Sequence, residues 1–308
     1  MQKYKVVVIV GPTASGKTSL AINLAKRFNG EIISADSMQV YKGIEIASAA
    51  PSEEEKERIP HHLISFLEPN VQYSVCDFVC DANKKIIEVS KKGKLPIIVG
   101  GTGLYIDSLI QNIDFGENTG SQIREELENK ANSLGLEALY EELKTLDIDS
   151  YNKIKSNDKK RIIRALEVYY ATGETITERN LRSKDNESNL LPIILGINYS
   201  NRSVLYERIN TRVDLMVQNG LIQEAKNAFL NPKFKGAKFA IGHKELFGFF
   251  KNEISLDEAI ENLKMQTRRY AKRQITWFKR NEKINWLNAE ENYLSNAEAL
   301  IDEFLRKE

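Results

Sequence analysis

Eight residues near the start of the chain, Gly11-Pro12-Thr13-Ala14-Ser15-Gly16-Lys17-Thr18, have the G-x-x-x-x-G-K-[ST] spacing of a phosphate-binding loop. Its two glycines permit torsions that other residues resist, so successive backbone N–H groups turn inward and cradle an anion at a helix N-terminus. Lys17 adds a point charge, and the Thr18 hydroxyl offers one coordination position to Mg²⁺. Gly11, Thr13, Ala14, Ser15, Gly16, Lys17 and Thr18 are thus candidates for holding a diphosphate or longer group. A second reactive side chain, Asp36, stands in Ile33-Ser34-Ala35-Asp36-Ser37-Met38-Gln39-Val40-Tyr41. A carboxylate beside such a loop has two readings, a general base that takes a substrate proton or an acid that supports Mg²⁺, and the residues alone leave both open. Thr102, in Gly100-Gly101-Thr102-Gly103, follows a strand in a glycine turn, where active-site rims form.

The elements around these residues fit the chemistry. Lys5 to Val10 is a β-branched run of the kind buried on both faces of a parallel sheet. Ser19 to Phe28 has helical spacing, Asn29-Gly30 ends it, and Glu31 to Ser34 reads as the next strand, so the loop lies inside a βαβ unit. The pattern recurs with a helix over Val79 to Lys91 and strands over Leu95 to Val99 and Leu191 to Ile197. From Asp114 to about Asn189 no buried strand is evident, helical patterns prevail, and acids outnumber bases. Ser183 to Asn189 reads as a polar linker, and helices follow over Val204–Asn219, Ile222–Phe229, Leu256–Lys279 and Glu291–Arg306. The expected fold is α/β, a P-loop NTPase-like parallel sheet flanked by helices. Residues 1–115 and 190–308 form the catalytic core, and 116–189 a helical insertion domain.

Composition narrows the classes. With 42% apolar and 28% charged residues the chain is globular, and no apolar run approaches the length of a membrane span. Lys+Arg 44 against Asp+Glu 43 leaves net +1, so a charged partner must be met by a local patch. Such a patch exists: Lys264 to Ile284 holds eight basic residues and one acid. On a helix Arg269, Arg273 and Arg280 share one face, suited to phosphate contact, while Tyr270 and Trp277 fall a quarter turn away and are expected in the core. Cys76 and Cys80 make no disulfide framework, and no Cys/His pair stands at metal spacing beside the adjacent His61 and His62. Reduced thiols and the absence of a signal-like N-terminus point to a cytoplasmic protein. No hydrophobic seam demands a dimer, so a monomer is expected.

A phosphate loop does not name a reaction. A guanine-reading Asn-Lys-x-Asp is absent, and Leu95 to Val99 runs into glycines rather than the acid of an ATPase motor. Small-molecule kinases and their relatives remain.

The loop and the Asp36 motif together resemble the tRNA dimethylallyltransferases (isopentenyltransferases). Pro60-His61-His62-Leu63, Gly100 to Tyr105, Asn157 to Val168, Ile241-Gly242 and Ala271-Lys272-Arg273-Gln274-Ile275-Thr276-Trp277 match the same family in order, from residue 6 to about 287. The resemblance implies transfer of a dimethylallyl group from dimethylallyl diphosphate to N6 of the adenosine 3′-adjacent to the anticodon. It favours Asp36 as the base, with Lys17 and Thr102 as further catalytic residues and Arg212 on the diphosphate. A transition state that loads negative charge onto a leaving diphosphate suits the loop, Lys17 and Mg²⁺. The base must leave its stack to react, and the resemblance assigns the anticodon stem-loop to Asp36, Ser37, Met38, Gln39, Arg124, Lys160, Arg161, Arg164 and Lys244, besides the arginines of the basic helix. Gln39 has the amide that pairs with an adenine edge. One departure stands out: the family often has Arg and Tyr where this chain has Phe239 and His243. The competing reading is a P-loop kinase using ATP.

Overall fold

The computed structural model describes residues 2–113, 121–185, 188–234 and 240–307. The chain divides into two compact units, one of 1–110 with 189–308 and one of 111–188. Phe239 and part of the Ser183–Asn189 linker lie outside the described residues.

In the first unit the order is β1 (Tyr4–Val10), α1 (Lys17–Arg27), β2 (Gly30–Ser34), α2 (Glu45–Ser48), α3 (Glu53–Lys56), β3 (His61–His62), α4 (Val75–Lys91), β4 (Leu95–Gly100) and α5 (Gly103–Ile110). The second unit holds α6 (Ser121–Leu134), α7 (Leu136–Leu146), α8 (Ile148–Lys153), α9 (Lys159–Thr172) and α10 (Ile176–Asp185). The chain then returns to the first unit with β5 (Leu190–Asn198), α11 (Arg202–Gln218), α12 (Leu221–Leu230), α13 (Phe247–Phe250), α14 (Leu256–Phe278), β6 (Ile284–Asn288) and α15 (Tyr293–Arg306).

The strands form one parallel sheet, β3-β2-β4-β1-β5-β6. Val6 to Val10 are buried throughout, as a central strand covered on both faces requires. Helix α1 packs Leu20, Ala21, Leu24 and Ala25 onto one face beside Ile301 of α15. All strands run the same way, so the segments after β1, β2 and β4 emerge at one edge of the sheet, where open α/β sheets bind ligands. The N-terminal half of β2 carries Glu31, whose buried carboxylate accepts from Lys94 Nζ at 2.8 Å and pairs with His62 Nε2 at 2.7 Å and Lys92 at 3.5 Å. Burial opposes its charge, but Lys94, His62 and Lys92 together hold the carboxyl at about 2. The adjacent His61 turns elsewhere, its Nδ1 bonded to the Ile59 carbonyl at 2.8 Å.

The second unit has its own core of Leu127, Leu139, Leu143, Ile162 and Leu166. Buried Asp147 caps α8 through Ser150 and also accepts from Thr177 Oγ1 at 2.7 Å, joining two helix starts.

Candidate active site

Thr13, Lys17 and Thr18, Asp36 to Gln39, and Gly100-Gly101 line one cavity of about 280 Å³ at the C-terminal edge of the sheet. The phosphate loop adopts the cradle its sequence predicts, with positive φ at Gly11, Ala14 and Gly16. Among the described residues Ser15 Oγ is buried there without a hydrogen-bond partner, and a buried hydroxyl of this kind calls for an ion or a water. Lys17 Nζ donates to the Pro12 carbonyl at 2.6 Å. Burial and the neighbouring Arg212 push its ammonium down to about 7, with Asp36 pulling the other way. Arg212, on α11, donates from Nη1 to Thr13 Oγ1 at 3.1 Å, so it faces the cavity rather than bulk solvent. Lys17 and Arg212 thus stand side by side at the loop, each also under the charge of Asp36, and two neighbouring cations of this kind suit an anionic group.

Asp36 divides its carboxylate between two tasks. Oδ1 accepts from the backbone N–H of Met38 at 2.8 Å and of Gln39 at 3.4 Å, which fixes the turn after β2. Among the described residues Oδ2 accepts no hydrogen bond, so this oxygen could take a proton. Thr102 Oγ1 accepts from the Ser37 N–H at 3.1 Å, bracing the residue next to Asp36.

Gln39 lines the cavity, but its amide is engaged. Oε1 accepts from Ser34 Oγ at 2.8 Å, and Nε2 donates to the Ser48 and Ala49 carbonyls at 3.3 and 3.2 Å. It therefore ties α2 to the end of β2, and it pairs with a base only by giving up those bonds.

The comparisons with known proteins bear on this geometry. A family model described as IPP transferase matches residues 39–281, and one described as isopentenyl transferase matches residues 4–70. A tRNA dimethylallyltransferase of Caldanaerobacter subterraneus subsp. tengcongensis is 47% identical over 286 residues, 92% of this chain and 91% of its own. The chain belongs to the tRNA dimethylallyltransferase family. The full-length tRNA isopentenylpyrophosphate transferase of Bacillus halodurans superposes with a TM-score of 0.73 at 39% identity, over 98% of this chain and 96% of that one. A eukaryotic dimethylallyltransferase acting on tRNA superposes with a TM-score of 0.83 at 31% identity, over 98% of this chain and 80% of that one.

The α14 residues refine the family pattern. Tyr270, expected in the core, lines the cavity instead and interacts with the side chains of Thr102 and Gln274. The reason is that the face of α14 next to its basic stripe covers the open sheet edge, so a position a quarter turn away looks into the site. Trp277 is partly buried, donates from Nε1 to Asp107 Oδ2 at 2.8 Å and lies under Arg280 at 4.1 Å. Gln274, which sequence reasoning gave no role, is buried and spans two loops: Oε1 accepts from the Thr13 N–H at 2.8 Å, and Nε2 donates to the Gly101 carbonyl at 2.9 Å. A Cβ at Gly101 would stand 2.1 Å from Gln274 Nε2, so a larger residue there would push this amide off its bond to the Gly101 carbonyl. The signal for Gln274 was its place inside the Ala271 to Trp277 motif.

The cations assigned to RNA fall into two groups. Arg269, Arg273 and Arg280 are exposed, and among the described residues none forms an ion pair with a carboxylate, although the charge of Arg280 is felt by Asp107. In the second unit Arg124 pairs with Glu128 at 3.2 Å, Arg161 with Asp158 at 3.4 Å and Arg164 with Glu167 at 3.2 Å, whereas Lys160 is exposed. Lys244 is exposed, 3.8 Å from Glu245. His243 is fully buried against Glu224, so it does not meet RNA in this conformation. Among the described residues no helix is long and apolar enough to cross a membrane.

Proposed function

We propose that the chain transfers the dimethylallyl group of dimethylallyl diphosphate to N6 of the adenosine 3′-adjacent to the anticodon of a tRNA, releasing diphosphate. The observation that carries this reading is the convergence, in one cavity, of an anion cradle backed by Lys17 and Arg212 with a carboxylate whose Oδ2 is unengaged. The cradle and the two cations bind the diphosphate and stabilise the charge it gains as the allylic C–O bond breaks. The N6–C bond forms at the same carbon, and the proton leaving N6 passes to Asp36 Oδ2. The Met38 and Gln39 N–H groups hold that carboxylate, and Thr102 braces the neighbouring Ser37. Tyr270, at the cavity wall, offers an apolar face to an extruded base.

The donor set fits Mg²⁺. The Thr18 hydroxyl lines the cavity beside the cradle, and this ion takes few protein ligands when phosphate oxygens and water supply the rest. Bound there with the diphosphate, Mg²⁺ would neutralise charge on the leaving group. The exposed Arg269 and Arg273 of α14, and Arg280 just beyond its end, would take tRNA phosphates, and Lys244 and the cations of the second unit would add further contacts. Arg124, Arg161 and Arg164 must first exchange a carboxylate for a phosphate, so they contribute less.

The test separates this reaction from the kinase alternative, which uses the same loop. Purified protein should release inorganic diphosphate from dimethylallyl diphosphate with Mg²⁺ only when an unmodified tRNA bearing that adenosine is present. Conversion of ATP to ADP with a small acceptor, and no diphosphate release, would establish the kinase instead.

A further inference from the structure

Behind one wall of the cavity lies a partly buried polar junction, with His243 fully buried, that the chemistry above does not use. The Glu224 carboxylate, on α12, accepts from the backbone N–H of Ile46 at 2.8 Å, of Ala47 at 2.9 Å and from His243 Nε2 at 2.8 Å. The turn that carries His243 is itself fixed. The Gly242 N–H donates to Glu245 Oε2 at 2.9 Å, and Gly242 sits at φ 112° with Ala47 so close that a Cβ would stand 3.1 Å from it. Three stretches of chain therefore meet at one carboxylate: α2, α12 and the turn at 240–245.

Two of these stretches form cavity wall, through Ala47, Ser48 and Ala49 on one side and Ala240 and Ile241 on the other. A four-residue helix such as α2 has no stability of its own, and its first N–H groups need acceptors. Glu224 supplies them and places a negative charge at the helix N-terminus, where it is favoured. At the opposite end of α2 the Ser48 and Ala49 carbonyls accept from Gln39 Nε2. A continuous line of hydrogen bonds thus runs from His243 through Glu224 and α2 to Gln39, three residues from Asp36. Neither Glu224 nor His243 bonds to the phosphate loop.

We propose that Glu224, held by His243, is a positioning residue that sets the α2 wall and Gln39 so that the acceptor base meets Asp36 correctly. The inference rests on the tRNA-prenylating reading above. It assigns the pair to the acceptor side of the reaction and not to the donor.

Steady-state kinetics of the full chain with varied tRNA and varied dimethylallyl diphosphate test it, with inorganic diphosphate as a probe of the loop. His243→Leu removes the donor to Glu224, and loss of a hydrogen bond to a charged group should raise the KM for tRNA by about tenfold. The KM for dimethylallyl diphosphate and the affinity for inorganic diphosphate should stay unchanged. His243→Gln, whose amide nitrogen reaches the place of Nε2, should restore the tRNA KM. Glu224→Gln keeps the shape and weakens the charge-assisted bonds. It should show the same split at smaller size, and it gives the answer if His243→Leu does not fold. A merely structural pair would lower kcat through the active fraction and leave both KM values alone. That pattern, or a His243→Gln variant no better than His243→Leu, overturns the proposal. A wild-type chain that releases no diphosphate with tRNA would refute the underlying reading, and this inference with it.

Discussion

The state of Lys17 makes donor binding depend on pH in a direction that can be worked out. Burial and Arg212 hold its ammonium at about 7. A diphosphate beside it favours the charged form, so the pKa rises in the complex and binding takes up a proton wherever the free enzyme has lost one. The contribution of Lys17 is complete below pH 6 and is lost as pH climbs through 7. With a free-enzyme pKa of about 7, the charged fraction falls from about one half at pH 7 to about one tenth at pH 8, so the contribution weakens about fivefold over that unit and about tenfold per unit above it. Uptake at pH 8 should reach about 0.9 proton per diphosphate bound. The measurement is titration calorimetry with inorganic diphosphate and excess Mg²⁺, in buffers of different ionisation heat, on wild type and Lys17→Met. The ligand titrates too, but it does so identically for both proteins, so the ratio of their affinities isolates Lys17. A ratio that stays flat from pH 6 to 8.5 would refute the argument.

Three more outcomes follow from named contacts. Asp36→Asn keeps an oxygen for the Met38 N–H, so it should fold and bind tRNA while turnover falls by ~10²–10⁴, the usual cost of a lost general base; gel-shift and single-turnover assays check both halves. Replacing Arg269 and Arg273 by Ala should reduce the log–log salt slope of tRNA binding by roughly 0.7–0.9 per contact, whereas Arg124→Ala, which removes a cation already paired with Glu128, should change it less. Glu31→Gln leaves Lys94 and Lys92 around an uncharged buried amide and should cost about 3–5 kcal/mol in denaturant unfolding. In the wild type the stabilisation from Glu31 is present above its unfolded pKa, near 4.5, and disappears as pH falls through about 2.

Much of this architecture was legible because local pattern and topology agree. The run at Lys5 to Val10 and the loop behind it leave few alternatives to a parallel sheet with its site at the strand ends, and Asp36 and Thr102 were readable as continuations of β2 and β4. Tyr270 was misread because helical spacing gives the angle between side chains and not what each face meets. Gln39 showed an amide of the right type, but its bonds to Ser34 and to α2 depend on a short helix with little periodicity of its own. The junction at Glu224 was hidden for a similar reason. It joins residues 46, 47, 224 and 243, and each looks like an ordinary member of its own segment.

The bond between Thr13 and Gln274 spans 261 positions of sequence, and β1 cannot pair with β5 before residue 190 exists. A ribosome adding ~5–20 residues per second therefore exposes the phosphate loop long before the side chain that fastens it emerges. During that interval the nascent chain carries an anion-binding sequence whose Thr13 N–H still lacks its anchor. The loop acquires its full set of contacts only after residue 274 has been made, so synthesis itself delays the arming of the enzyme, and shortened products ending before α14 would carry the motif without the fastening that Gln274 gives it.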